Sequence, residues 1–299
     1  MTVDTGTPHW TVRRERGSAC LIKFIAWLAV VSGRRVTRVL LYPITVYFLL
    51  FAPYPRRHAK RYLKSVLKRP VTWRDLFRHF HCFAGTILDR VFLLKKKFEL
   101  FDIEVAGLDE LREAQGEGRG VILLGAHFGS FDAMRALADA EESHELKVLM
   151  YDGNASTVGA VLGAIDPALE AQIIPLGPPD SLIRVSEVLR DGAMVGILGD
   201  RVTRGEKTYD VAFLGETAKV AAAPWVLAAV TGAPVVVFSA VFDGDRGYKV
   251  RLCRLPVAAG ARPRDHEEGR RFAEAYVGIV EKWAREAPYN WFNFYDFWA

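Results

Sequence analysis

The chain has 299 residues, 51% hydrophobic and 12% aromatic, with a formal net charge of +5. Its length accommodates one large α/β domain with a helical extension. Three cysteines, Cys20, Cys82 and Cys253, lie far apart with no C-x-x-C pair, which disfavours a disulfide framework or structural zinc site and points to a reducing, cytoplasmic setting. Basic residues concentrate between Arg13 and Lys97, in pairs such as Arg34-Arg35, Arg56-Arg57, Lys60-Arg61 and Lys68-Arg69. Such a field attracts phosphate. No zinc-finger spacing, RNA-binding signature or recognition helix accompanies it, so a membrane surface or an acidic carrier is favoured over nucleic acid.

Residues 1–18 read as a polar tail. Two apolar segments follow, 19–32, interrupted by Lys23, and 39–52, interrupted by Pro43; Pro53, Pro55, Arg56 and Arg57 close the second. Neither reaches the roughly 20 apolar residues of a simple spanning helix. Region 19–55 is therefore expected to attach to a membrane monotopically, with a single span as the alternative. A cleaved signal peptide is disfavoured because no convincing small-x-small site follows the apolar run. The flanking bases keep the remaining domain, 56–299, on the cytoplasmic face.

From 56 to 100 apolar residues recur at threes and fours, Leu76, Phe77, Phe80, Phe83, Ile87, Val91 and Leu94 among them, which predicts helix. His79 and His81, two apart, cannot share one helix face and read as ordinary surface or groove residues. Candidate strands then fall at 103–105, 121–124, 148–150, 172–174, 194–198, 235–241 and 249–252, with helical patterns at 131–142, 156–164, 181–189, 221–229 and 266–287. Alternation of this kind predicts a mostly parallel central sheet flanked by helices, with its site at the strands' carboxyl ends.

The apolar run Val121 to Leu124 ends in Gly125, Ala126, His127, Phe128 and Gly129, and a carboxylate, Asp132, stands five positions after the histidine. The glycines permit a turn, Ser130 is available as an N-cap, and Asp132 would lie in the first turn of the next helix. From there it can accept a hydrogen bond from one imidazole nitrogen and leave the other as a base; the plainer reading is a satisfied histidine beside a capping aspartate. Asp200 and Arg201 repeat the logic after the strand ending at Leu198 and Gly199. Further on, Phe213, Gly215, Glu216 and Lys219 offer a glycine turn with charged groups leading into a helix. Arg201 and Lys219 suit a phosphate or oxyanion; a surface salt bridge is the plainer alternative.

Other chemistries lack their residues. There is no G-x-S-x-G, because His127 stands where an elbow nucleophile would, and no H-E-x-x-H or complete P-loop. No metal site is expected.

The ordered set of a hydrophobic N-terminal region, basic helices, His127 to Asp132, Gly199 to Arg201 and Phe213 to Glu216 resembles the lipid A biosynthesis acyltransferases, relatives of the glycerol-phosphate acyltransferases. The resemblance covers roughly residues 15 to 299. Many of those enzymes carry H-x4-E where this chain has Asp132, and an arginine-bearing segment where it has 151–156 without arginine; both departures point to a divergent acceptor. The aromatic end, 288–298, resembles that of the acyltransferases associated with aryl-polyene and flexirubin pigments, or is a core-packing tail. The resemblance implies a glycerol-phosphate-acyltransferase-like fold and an enzyme of the bacterial inner membrane. It also implies transfer of an acyl chain from a phosphopantetheine thioester on acyl carrier protein to a hydroxyl or amine of a membrane lipid, with no further cofactor. His127 would be the general base and Asp132 its orienting partner. Asp200, Arg201, Phe213, Gly215, Glu216 and Lys219 would bind substrate, and N–H groups near Gly129 would face the oxyanion. A hydrolase using the same dyad, or a non-catalytic protein binding membrane and carrier, are the competing expectations.

Overall fold

A computed structural model of the chain describes residues 19–140, 145–151, 172–176, 180–203, 205–257 and 265–298. The helical pattern at 156–164 and most of the arginine-free segment at 151–156 lie outside the described residues.

Three helices come first, α1 (Ala19–Phe51), α2 (Pro53–Leu67) and α3 (Trp73–Leu94). The two apolar segments form two helical pieces, together α1 and 33 residues long, that meet at a kink at Gly33, whose φ of 81° is non-helical; Pro43 is carried inside the second piece. The basic stretch between the segments is anchored because Arg34 turns inward, while Arg35 stays exposed. Arg34 forms a buried bidentate pair with Asp89 of α3, at 2.7 and 2.9 Å, and the same carboxylate accepts from the Tyr248 hydroxyl. Breaking such a pair leaves an uncompensated buried charge, at a cost of roughly 3–5 kcal/mol, so it fastens α1 to the body. The opposite face of α1 exposes Trp27, Val31, Val36, Val39, Tyr42, Tyr47, Leu50 and Phe51, the reverse of a water-facing helix. Among the described residues no single helix is long and apolar enough to cross a membrane; α1 from Phe24 and α2, bent by 95°, pass that test only as a pair.

Helix α3 starts at a capping box between Thr72 and Asp75. Its His79 is wholly buried, correcting the expectation of a surface or groove residue. The ring lies among Tyr62, Phe292 and Phe294, and Nδ1 contacts the Tyr289 carbonyl at 3.1 Å.

The α/β part runs β1 (Asp102–Ala106), α4 (Leu108–Gly116), β2 (Val121–Gly125), α5 (Phe131–Ala140), β3 (Leu146–Tyr151), β4 (Ile173–Leu176), α6 (Ser181–Arg190) and β5 (Met194–Leu198). It continues through β6 (Thr208–Phe213), β7 (Glu216–Ala221), α7 (Ala223–Thr231), β8 (Val235–Phe242), β9 (Gly247–Leu255) and α8 (His266–Glu286). Seven strands form one mixed sheet in the order β1-β9-β8-β2-β5-β3-β4. Five neighbours from β8 to β4 run parallel, while β9 pairs antiparallel with β8 and carries β1 beside it in its own direction. The β8–β9 hairpin thus reverses one edge of the mostly parallel sheet.

Strand β2 lies between β8 and β5, and Val121, Ile122, Leu123 and Leu124 are completely buried, which is why it reads as a continuous apolar run. Alternate residues face two cores. Val121 and Leu123 join side chains of α1, α3, α4 and α5, while Ile122 and Leu124 join those of α2, α6, α7, α8 and the C-terminal tail.

Strands β6 and β7 form a separate antiparallel pair, where the sequence reading had only a glycine turn leading into a helix. Leu214 and Gly215 both have positive φ, 53° and 89°, as a two-residue hairpin turn requires.

Candidate active site

The register of the sheet builds the site. β2 and β5 pair in parallel with Gly125 opposite Leu198, and His127 and Asp200 each stand two residues beyond that pair. Two strand ends of matched length therefore deliver an imidazole and a carboxylate to the same point. His127 Nδ1 lies 2.8 Å from Asp200 Oδ1. Asp200 Oδ2 accepts the His127 backbone N–H at 3.0 Å and the Trp291 indole N–H at 3.2 Å. An ionised carboxylate only accepts, so the contact puts a proton on Nδ1 and leaves the lone pair of neutral His127 on Nε2.

Asp200 is 3% exposed and the His127 side chain 27%, so the carboxylate is a buried support and the imidazole faces outward. Burial holds the His127 pKa below its usual 6.5, the Arg201 cation pushes the same way, and Asp200 opposes both. Burial alone would raise the Asp200 carboxyl, but the imidazole, Arg201 and the accepted hydrogen bonds outweigh it and hold its pKa below the usual carboxylate value. At neutral pH the site is a neutral base on a charged support.

The expectation that Asp132 orients His127 is corrected by this geometry. Ser130 does cap α5, its hydroxyl accepting the Ala133 N–H. The Asp132 carboxylate, however, is ion-paired with Arg90 of α3 at 2.5 Å, and it is Asp200 that meets an imidazole nitrogen, Nδ1.

The loop amides are also spent. Gly129 N–H donates to the Asn290 carbonyl and Ser130 N–H to the Ala240 carbonyl, each at 2.8 Å, and the Phe292 N–H reaches the His127 carbonyl at 2.7 Å. The Gly129 and Ser130 donors are therefore not available to an oxyanion, contrary to expectation. Gly129 serves the turn instead. Its φ is 76°, and a Cβ there would sit 1.9 Å from the Ala240 oxygen.

The C-terminal tail, for which a pigment-pathway signature and core packing are the two expectations, forms the cradle. Phe128 and Trp291 make an antiparallel bridge. The Asn290 side chain bonds both the N–H and the carbonyl of Phe242, the Tyr295 hydroxyl donates to the Asp200 carbonyl at 3.0 Å, and the Tyr276 hydroxyl of α8 donates to the Gly125 carbonyl at 2.8 Å. These residues were missed as site-builders. For Trp291 and Tyr295 the signal in the sequence is the aromatic density of the tail.

Arg201 follows Asp200 directly and places its guanidinium over the Tyr295 ring, 5.6 Å from its centre. The hairpin residues are not drawn to His127 in the same way. Phe213 is buried against Trp291, Phe297 and Trp298; Gly215 makes the turn; Glu216 is ion-paired with Arg61 of α2 at 2.6 Å. Lys219 is exposed in mid-strand, opposite Asp210. Phe213 thus packs against Trp291, which in turn contacts Asp200.

A strand-end histidine on a buried carboxylate fits several base-catalysed reactions. What narrows the choice is the family model for bacterial lipid A biosynthesis acyltransferases, which matches residues 93–299, more than two thirds of the chain. The chain belongs to that family. It is accordingly an acyltransferase of lipid biosynthesis. The matched span contains every residue of the His127 constellation except the supporting α1–α3 face. No curated protein matches the chain. Among the described residues of this acyltransferase, no group of three or more His, Cys, Asp or Glu could hold a metal ion.

Proposed function

We propose that this acyltransferase moves an acyl chain from a thioester on acyl carrier protein to a hydroxyl or amine of a membrane lipid, with His127 as general base. The observation that carries the reading is the Asp200–His127 contact, which leaves Nε2 as the proton acceptor. The acceptor's oxygen or nitrogen attacks the thioester carbonyl as its proton passes to Nε2, giving an imidazolium stabilised by Asp200 and a tetrahedral oxyanion. Collapse of the oxyanion breaks the carbon–sulfur bond, and the departing thiolate takes the proton from Nε2. No covalent acyl-enzyme is formed. Arg201 supplies a cation beside the imidazole for the oxyanion or for a phosphate of either substrate.

We further propose monotopic attachment to the cytoplasmic face of the bacterial inner membrane. The apolar outer face of α1 supports it, together with the buried Arg34–Asp89 pair that holds the helix against the body. The aromatic residues of 288–298, the basis of the likeness to pigment-pathway enzymes, are accounted for by the cradle around His127 and identify no acceptor.

The test is incubation of the purified protein with acyl-carrier thioester and bacterial membrane lipid, followed by mass spectrometry. An acylated lipid formed in step with thiol release is the expected product. Free fatty acid as the sole product would overturn the transferase reading in favour of a hydrolase.

A further inference from the structure

We propose that the outer face of α2 is a binding stripe for anionic lipid headgroups, an inference that rests on the membrane attachment proposed above. Arg57, Lys60 and Lys64 are three and four residues apart and so share one helix face. All three are exposed, while Ala59, Tyr62, Leu63 and Val66 are buried on the other side. The helix contains no acidic residue. Among the described residues none of the three forms an ion pair, whereas neighbouring Arg61 is paired with both Glu216 and Asp296. Bases recruited for internal structure are paired in this way; the stripe is not.

Its surroundings identify the partner as lipid. α2 leaves α1 at 95°, directly after the exposed Leu50 and Phe51. Arg56 fixes that corner by donating to the Leu49 and Leu50 carbonyls left over at the end of α1, and its guanidinium lies 5.6 Å from the centre of the exposed Trp73 ring. Apolar side chains, a tryptophan and arginines meeting at one corner match a bilayer interface, where acyl chains and phosphates lie within a few ångströms of each other. On its inner side α2 places Tyr62 against Trp291, ring centres 4.8 Å apart, and Trp291 holds Asp200. The stripe therefore brings headgroups to the helix that backs the His127 cradle.

A basic side chain at an anionic surface is worth about fivefold in affinity, so three amount to about 100-fold. The experiment is co-sedimentation of the full chain with vesicles of phosphatidylcholine alone and of phosphatidylcholine with phosphatidylglycerol, at low and high salt. Wild type is compared with the triple variant Arg57→Gln, Lys60→Gln, Lys64→Gln, and its melting temperature is checked against wild type. Wild type should prefer the anionic vesicles by about 100-fold at low salt, and the triple variant should bind both kinds at the neutral level. Equal binding of wild type to both kinds overturns the headgroup stripe and leaves membrane attachment standing. Binding to neither overturns both. A triple variant that keeps the anionic preference but loses affinity for acyl carrier protein assigns the stripe to an acidic protein and overturns the lipid assignment.

Discussion

Asp200→Asn separates the two carboxylates that compete for the role of supporting His127. The amide has the size of the carboxylate, and its oxygen can still accept the Trp291 and His127 N–H groups that Asp200 Oδ2 accepts. That arrangement turns the amide NH2 toward Nδ1, so the imidazole must accept there and carry its own proton on Nε2, where the acceptor's proton has to go. The charge is lost as well. An imidazolium and a carboxylate 2.8 Å apart interact by about 6 kcal/mol at an effective dielectric of ~20. Solvent at the partly exposed histidine reduces this, so a barrier increase of about 4–5 kcal/mol is expected. That corresponds to a kcat lower by roughly 10³–10⁴, with KM changed little. Asp132→Asn breaks the ion pair with Arg90 instead. Asp132 is buried but the Arg90 side chain is 32% exposed, so the expected cost is about 2 kcal/mol of stability and less than tenfold in kcat. Initial rates of thiol release over a range of acceptor concentrations, with thermal melts of each variant, give both numbers. If Asp132→Asn loses 10³ in kcat while Asp200→Asn stays within tenfold, the assignment of Asp200 is wrong.

Because burial and Arg201 hold the His127 pKa below 6.5, kcat/KM should be flat above neutrality and fall with an inflection below pH 6.5. Arg201→Gln should move that inflection upward, and an unmoved profile would remove Arg201 from the site's electrostatics. Trp291→Phe keeps the ring packing but removes a donor from Asp200; it should lower kcat about tenfold and raise the Asp200 pKa, and an unchanged rate would make the indole contact irrelevant. His79 is held neutral by burial, its pKa lowered to about 4. The unfolded chain therefore takes up the proton first, and stability is complete above the ordinary value of 6.5. It falls by up to about 3 kcal/mol as pH drops toward 4. Urea midpoints of wild type and His79→Phe at pH 7 and pH 4.5 should show a smaller loss in the variant. Gly129→Ala should cost at least about 2 kcal/mol, since a Cβ there meets the Ala240 oxygen at a positive φ, and an unchanged melting temperature would contradict the turn geometry.

The central strands and His127 at a strand's carboxyl end were legible because buried parallel strands are unbroken apolar runs ending in glycine. Which carboxylate meets the histidine was not. Spacing along the chain favours the nearer one, Asp132, whereas the contact with Asp200 depends on β2 and β5 being neighbours in a fixed register 73 residues apart. Arg90, the group that holds Asp132 elsewhere, lies on a helix whose packing no local pattern reveals. The hairpin was misread because Leu214 and Gly215 carry only half of the usual glycine-rich turn signature. Apolar patterning of α1 was visible, but the inward turn of Arg34 toward Asp89 was hidden by the ordinary expectation that arginines end a buried segment. The tail's aromatic density was visible too; its hydrogen bonds to Asp200 and to the Gly129 loop required the fold.

The central claim is that His127 takes the acceptor's proton directly and never carries the acyl group. Single-turnover acyl transfer by His127→Gln, with the intact protein mass read during the reaction of the wild type, tests it most directly. The account predicts a rate at least 10³-fold below wild type with thioester binding retained, and no acyl adduct on the wild-type protein at any time. A His127→Gln rate within tenfold of wild type, or an acylated protein that forms and decays as product appears, would contradict it.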